Sequence, residues 1–127
     1  MPSEHQTFGR HIVVDAWGIE FDKINNLDFL KHHMEHAATV IGATILSVSG
    51  WSFNPYGATV MVVLSESHLS IHTYPEKEFA AIDGYTCGEE IDPKMAMDYL
   101  LNIFQPKHVF TKKIIRGSGD LVIVPME

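Results

Sequence analysis

Cysteine is almost missing from this chain. Cys87 is the only one, which excludes an internal disulfide framework and a cysteine-built zinc cluster. Positive charge is scarce as well. Nine Lys and Arg stand against sixteen Asp and Glu, a formal balance of −7, whereas a nucleic-acid binder needs a basic face. A cationic small molecule, or no charged partner at all, suits the balance better. No apolar run approaches the ~18 residues of a membrane span. The opening residues Met1-Pro2-Ser3-Glu4-His5-Gln6 lack the basic-then-apolar layout of a signal peptide. The expected setting is soluble, reducing and cytoplasmic. Low-complexity stretches, linkers and charge blocks are absent, as is any repeat of about 20–50 residues. Residues 1–127 are therefore read as a single domain.

Apolar patterning supplies the elements. His11–Trp17 (HIVVDAW), between Gly9 and Gly18, is apolar and β-branched and reads as a strand. Leu27, Leu30, Met34, Ala37, Ala38 and Ile41 recur at steps of three and four, one stripe of a helix over Leu27–Ile41. Asn25 or Asn26 is its N-cap and Gly42 its stop. Thr44–Ser52, Thr59–Leu64, Leu69–Thr73 and Phe79–Tyr85 read as strands, broken by turns at Asn54-Pro55-Tyr56-Gly57 and at Pro75. Asp92-Pro93 starts a second helix, a capping carboxylate before a proline at the first helical position. That helix buries Met95 or Ala96, Tyr99, Leu100 and Ile103, and ends before Pro106. Val109–Ile115 and Leu121–Val124 flank Gly117-Ser118-Gly119, a hairpin signal. The order β-α-β-β-β-β-α-β-β predicts an α+β fold: a two-layer sandwich of a mostly antiparallel sheet with two helices on one face. The opposite face is left for a second subunit to cover.

Chemistry concentrates in Leu64-Ser65-Glu66-Ser67-His68-Leu69-Ser70-Ile71-His72-Thr73-Tyr74-Pro75-Glu76, directly after a buried strand. Loops and strand ends held by a rigid sheet are where reactive groups tend to sit. In a strand, His68, Ser70 and His72 share one face while Leu69 and Ile71 point to the other. On composition alone this is a polar edge strand with solvated histidines.

SESHLSIHTYPE, with Phe8-Gly9-Arg10-His11 before it and Tyr85-Thr86-Cys87-Gly88 after it, resembles the bacterial and archaeal S-adenosylmethionine decarboxylases. The likeness runs from about Phe8 to the last strand, with every motif in order and at matching spacing. It implies a proenzyme that cleaves its own Glu66–Ser67 bond into residues 1–66 and 67–127. It also implies a covalent pyruvoyl group made from Ser67, which forms a Schiff base with the substrate amine, and no metal or pyridoxal phosphate. By the same resemblance His72 matches the base of the processing elimination, and Cys87 the acid that returns a proton to the substrate. Thr59 stands where the family has a serine that assists processing. Phe53 and Tyr74 match aromatic positions near the adenine, where many relatives carry tryptophan at the second. Glu76 matches a glutamate facing the substrate. The implied product is the aminopropyl donor for spermidine synthesis, and the implied assembly a homodimer with active sites at the subunit interface. Relatives of the same mechanism act on arginine or ornithine, and Thr59 and Tyr74 leave that alternative open. An uncleaved, inactive paralogue with a binding role is the other.

Plainer readings stand beside these. A lone cysteine is usually a small buried hydrophobe. His32 and His36 have the spacing of metal ligands but lack a third, so they read as a solvated helix face with His33. His11 reads as a surface or subunit contact, and Met95 and Met97 as helix filling. Glu89, Glu90 and Asp92 are explained by the helix dipole, and Gly117-Ser118-Gly119 by a turn.

Overall fold

The computed structural model describes residues 7–126. Met1–Gln6, read above for a signal peptide, lie outside the described residues, as does Glu127. In chain order the elements are β1 (Gly9–Trp17), α1 (Phe21–Ile24), α2 (Leu27–Val40), β2 (Ile45–Ser52), β3 (Ala58–Leu64), β4 (Ser67–Tyr74), a 3-10 turn (Pro75–Lys77), β5 (Phe79–Cys87), α3 (Lys94–Phe104), β6 (His108–Arg116) and β7 (Val122–Val124). The strands form one sheet in the order β2-β3-β4-β5-β1-β6-β7. Every described pairing is antiparallel, so the sheet goes beyond the mostly antiparallel expectation. Residues β-branched and aromatic at period two dictate this, because one face of each strand can then be buried.

The buried face carries Ile12, Val14 and Ala16 of β1, Val60, Val62 and Leu64 of β3, Leu69 and Ile71 of β4, and Ala80 and Ile82 of β5. Against it pack Leu30, Met34, Ala37 and Ala38 of α2 and Ala96, Met97, Leu100 and Phe104 of α3. Burying each large side chain is worth about 1.5–3 kcal/mol, which makes this layer the main source of stability. Gly84 lets α3 approach the sheet: a Cβ there would lie 2.8 Å from Leu69 and 3.1 Å from Met97.

The helix ends follow their sequence signals. Asn26, not Asn25, caps α2, its side-chain oxygen accepting the Phe29 N–H at 3.0 Å. Gly42 follows with a φ of +74°, a left-handed stop that costs glycine little. The Asp92 carboxylate accepts the Lys94 N–H at 3.0 Å, so it caps as expected although regular helix begins at Lys94. Within α3, Ala96 rather than Met95 faces the core; Met95 is 59% exposed, and Met97 is buried with it. The three α2 histidines divide: His32 and His36 are exposed, but His33 turns inward and its Nδ1 lies 2.7 Å from the Tyr99 hydroxyl of α3. Burial, then the neighbouring His32 and His36, hold the His33 pKa below its ordinary value.

The other face of the sheet presents an apolar and aromatic surface. Phe110 is 65% exposed, and Trp17, Val63 and Tyr74 are each 40% or more. Both long helices pack on the opposite side.

Candidate active site

The two-residue turn Ser65-Glu66 closes the β3–β4 hairpin and sets Leu64 opposite Ser67. It also brings β4 into regular pairing two residues earlier than alternation alone suggests. Ser67 has a φ of +142°, a conformation that favours glycine and is strained for a residue with a Cβ. The Glu66 carbonyl oxygen accepts the Cys87 backbone N–H at 2.8 Å, and the Glu66 carboxylate accepts the Thr44 N–H at 3.1 Å.

Three separated sequence motifs meet at this turn. Gly9 pairs with Cys87, Arg10 with Thr86, and Ser67 with Thr86. The Gly88 N–H donates to the Phe8 carbonyl at 2.7 Å. Arg10 reaches the Glu89 carbonyl at 2.6 Å and the Asp92 carboxylate at 3.0 Å, tying down the loop after β5. Cys87 is exposed, against the base-rate expectation of a buried thiol. With Glu66, Gly88 and Ile91 it lines a cavity of about 500 Å³.

A second group lies toward the other end of the same strands. Thr59 faces His72 across the β3–β4 register, with Thr59 Oγ1 2.5 Å from His72 Nδ1. The Phe53 ring is 5.5 Å from the His72 ring and the Tyr74 ring 4.7 Å from it. Tyr74 stacks on Phe79 at 5.6 Å, and Phe79 on Trp17 at 4.2 Å. Glu76 is exposed on the 3-10 turn. Ser67 and His72 are five residues apart on one extended strand, about 17 Å at ~3.4 Å per residue. One copy of the chain therefore groups Glu66, Ser67 and Cys87 at one place, and Phe53, Thr59, His72, Tyr74 and Glu76 at another.

Next to the first group is a cluster that sequence reasoning did not assemble. Asp83 accepts hydrogen bonds from His11 Nε2 at 2.7 Å and His68 Nε2 at 3.2 Å, and its other oxygen accepts the Ser70 hydroxyl. Arg116 Nη1 lies 3.1 Å from His11 Nδ1. A guanidinium only donates, so this His11 nitrogen accepts and its Nε2–H points at Asp83. Burial raises the Asp83 pKa, but the hydrogen bonds from Ser70, His11 and His68 outweigh it and hold the carboxyl below its ordinary value. His11 is thus part of an internal network, not a bare surface contact. The ligand atoms of His11, His68 and Asp83 lie within 4.8 Å of one another, close enough for a cation. Each is already paired within the network, and the Arg116 cation sits against His11. Tyr85 covers the cluster, its ring 5.3 Å from His11 and 4.9 Å from the Arg116 guanidinium carbon. Gly9 makes room for it: a Cβ there would lie 2.7 Å from the Tyr85 ring. The one sequence signal for Asp83 is a charge at an open-face position of an otherwise apolar strand.

A family model described as S-adenosylmethionine decarboxylase matches residues 10–117. The chain is 56% identical over 124 residues to the S-adenosylmethionine decarboxylase proenzyme of Brevibacillus brevis, covering 98% of this chain and 93% of that one. It is 55% identical over 119 residues to S-adenosylmethionine decarboxylase proenzyme 2 of Bacillus cereus, covering 94% and 97%. Among solved structures, the adenosylmethionine decarboxylase from Aquifex aeolicus is similar with a TM-score of 0.83 at 38% identity, covering 88% of this chain and 92% of that one.

Proposed function

The chain belongs to the S-adenosylmethionine decarboxylase family, and from that membership we propose that it decarboxylates S-adenosylmethionine through a pyruvoyl group that it makes by cutting itself between Glu66 and Ser67. The observation that carries this reading is the state of that one peptide bond. Ser67 is held at a φ of +142°, and the carbonyl ahead of it already receives the Cys87 N–H. Strain raises the ground state, and a fixed N–H stabilises the negative charge that forms on the oxygen when the carbonyl is attacked. The residues present thus fit formation of the group.

Ser67 Oγ attacks the Glu66 carbonyl carbon, the C–N bond breaks, and an ester joins the two residues. A base then removes the Ser67 α-proton, and elimination releases Glu66 as a new C-terminus. The dehydroalanine left at position 67 hydrolyses to pyruvoyl with loss of ammonia. Residues 1–66 become one chain and 67–127 the other. His72 suits the α-proton step, but it lies about 17 Å from Ser67 along its own strand. The partner's His72 does this work in a homodimer whose two open sheet faces meet. The exposed Phe110, Trp17 and Val63 on that face support the pairing. Thr59 orients His72 through their hydrogen bond.

A pyruvoyl group at position 67 supplies a ketone to bind the substrate amine and a conjugated carbonyl to receive the electrons of the breaking C–CO₂ bond. The Cys87 thiol, exposed beside it, returns a proton to the substrate carbon after carbon dioxide leaves. The partner's Phe53 and the partner's Tyr74, which lie against its His72, offer ring faces to the adenine. The partner's Glu76 sets a negative charge toward the sulfonium and amino groups. The product is the aminopropyl donor for spermidine synthesis. A thiol that must stay reduced goes with a cytoplasmic setting.

Intact mass under denaturing conditions tests the cleavage. The expected result is two species, 1–66 and 67–127, the second lacking its N-terminal amine. One uncut species after long incubation would overturn the reading. Release of carbon dioxide from S-adenosylmethionine, compared with arginine and ornithine, then fixes the substrate.

A further inference from the structure

We propose that His68 is the base that takes the hydroxyl proton of Ser67 in the first step of self-cleavage, and that Asp83 is its positioning residue. The proposal rests on the self-cleavage reading above and concerns a different proton from the one assigned to His72.

Ser67 Oγ lies 3.4 Å from His68 Nδ1, and the opposite ring nitrogen, Nε2, lies 3.2 Å from Asp83 Oδ2. An ionised carboxylate can only accept. His68 Nε2 therefore carries its hydrogen, and the lone pair of Nδ1 is directed at the Ser67 hydroxyl. The order hydroxyl, imidazole, carboxylate is the arrangement that makes a serine nucleophilic on unrelated folds. The 3.4 Å separation is longer than a formed hydroxyl hydrogen bond, as is usual before a reacting complex tightens. A small rotation of the Ser67 side chain closes it.

The surroundings fix the tautomer from several sides. Asp83, on β5, is anchored by Ser70 of β4 and by His11 of β1 as well as by His68. Arg116, on β6, sets the His11 tautomer so that His11 also donates to Asp83. Tyr85 lies over the cluster at 6.3 Å from the His68 ring. Asp83 is thus a carboxylate with several donors and one orientation, and the His68 ring is held edge-on to it.

The chemistry balances without any outside reagent. The Ser67 Oγ–H proton moves to His68 Nδ1 as Oγ bonds to the Glu66 carbonyl carbon. The Cys87 N–H holds the oxygen while it is negative. The C–N bond then breaks and the same proton passes from His68 to the departing Ser67 nitrogen, leaving an amine and an ester. His68 ends as it began. The partner's His72 acts only afterwards, on the α-carbon proton.

Hydroxylamine separates these steps because it cuts an ester and leaves a peptide bond intact. Uncleaved protein is made by cell-free synthesis and followed by intact mass, with and without hydroxylamine. Wild type is expected to cleave at Glu66–Ser67. His72→Ala is expected to stay whole until hydroxylamine cuts it there, since its ester still forms. His68→Gln keeps an N–H for Asp83 but has no basic nitrogen, and should cleave about 10²–10⁴-fold more slowly and resist hydroxylamine. Asp83→Asn retains His68 and should be slowed in the same manner, which covers the case of a poorly folded His68→Gln. Cleavage of both variants at the wild-type rate, or cutting of either by hydroxylamine as readily as His72→Ala, would overturn the proposal. A wild type that never cleaves would instead sink the self-cleavage reading beneath it.

Discussion

Thr59 Oγ1 stands 2.5 Å from His72 Nδ1, straight across the antiparallel register of β3 and β4. The resemblance read from the sequence implies a serine at position 59, against which threonine keeps the hydroxyl and adds a methyl. A β-branched side chain has fewer rotamers, and here the populated one points at the histidine. Thr59→Ser should therefore cleave at close to the wild-type rate, because the contact survives. Thr59→Val removes a hydrogen bond worth about 1–1.5 kcal/mol, which corresponds to roughly ten-fold slower cleavage. Time courses of intact mass read both.

The division of the site residues predicts complementation between damaged copies. On the proposed reading a Ser67→Ala chain forms no ester, and a His72→Ala chain stops before elimination. In a mixed dimer, one site has Ser67 and Cys87 from the His72→Ala chain and His72 from the Ser67→Ala chain. Co-expression should yield the two cleaved pieces of the His72→Ala chain, distinguishable by mass, while each variant alone stays uncut. No cleavage in mixtures shown to contain heterodimers would mean that a single chain brings Ser67 and His72 together.

Much of this arrangement is legible in the sequence, and the remainder has a physical reason for being hidden. The TVMVVL run of β3 and the stripe from Leu27 to Ile41 carry their own period, so their existence and burial follow from local pattern. The convergence of Phe8–Arg10, Glu66–Ser67 and Thr86–Gly88 does not, because it depends on strand order and register. Asp83 and His11 are 72 residues apart and meet only because β1 and β5 are neighbours. Helix α1 spans four residues, Phe21–Ile24, too few to show a period. The sequence does place His68 and His72 on one face. What it leaves unweighed is the strand rise that sets His68 beside Ser67 and His72 far from it.

Asp83 gives a prediction in stability. Its pKa in the fold lies below the ordinary 3.8, so its stabilising contribution is complete above about pH 4 and is lost as pH falls through the lower, folded value. Asp83→Asn lacks the charge at every pH. Losing hydrogen bonds to a charged group costs about 1.5–3 kcal/mol, which should appear in urea unfolding at pH 7 with the variant still folded in buffer. The gap between wild type and variant should narrow as the solution is acidified below about pH 4. A gap that widens with acid would reverse the sign and exclude a lowered pKa.

Phe110 tests the open sheet face without touching the core. It is 65% exposed and sits opposite Asp15 in the β1–β6 register, on the face turned from both helices. Burying such a side chain at an interface contributes about 1.5–3 kcal/mol, and a two-fold pairing buries two copies. Phe110→Asp removes that gain and sets a new charge beside Asp15, so light scattering after gel filtration should find dimers for wild type and monomers for the variant. Thermal melting at high dilution, where both proteins are monomers, should show only the cost of one like-charge cross-strand pair, about 0.2–1 kcal/mol, because the substitution leaves the buried layer between sheet and helices unchanged. Self-cleavage should fail along with dimerisation, since an isolated chain keeps His72 about 17 Å from Ser67. If monomeric Phe110→Asp still cuts itself, the partner's His72 is unnecessary and the α-proton must leave by a group near the hairpin, with His68 the nearest candidate.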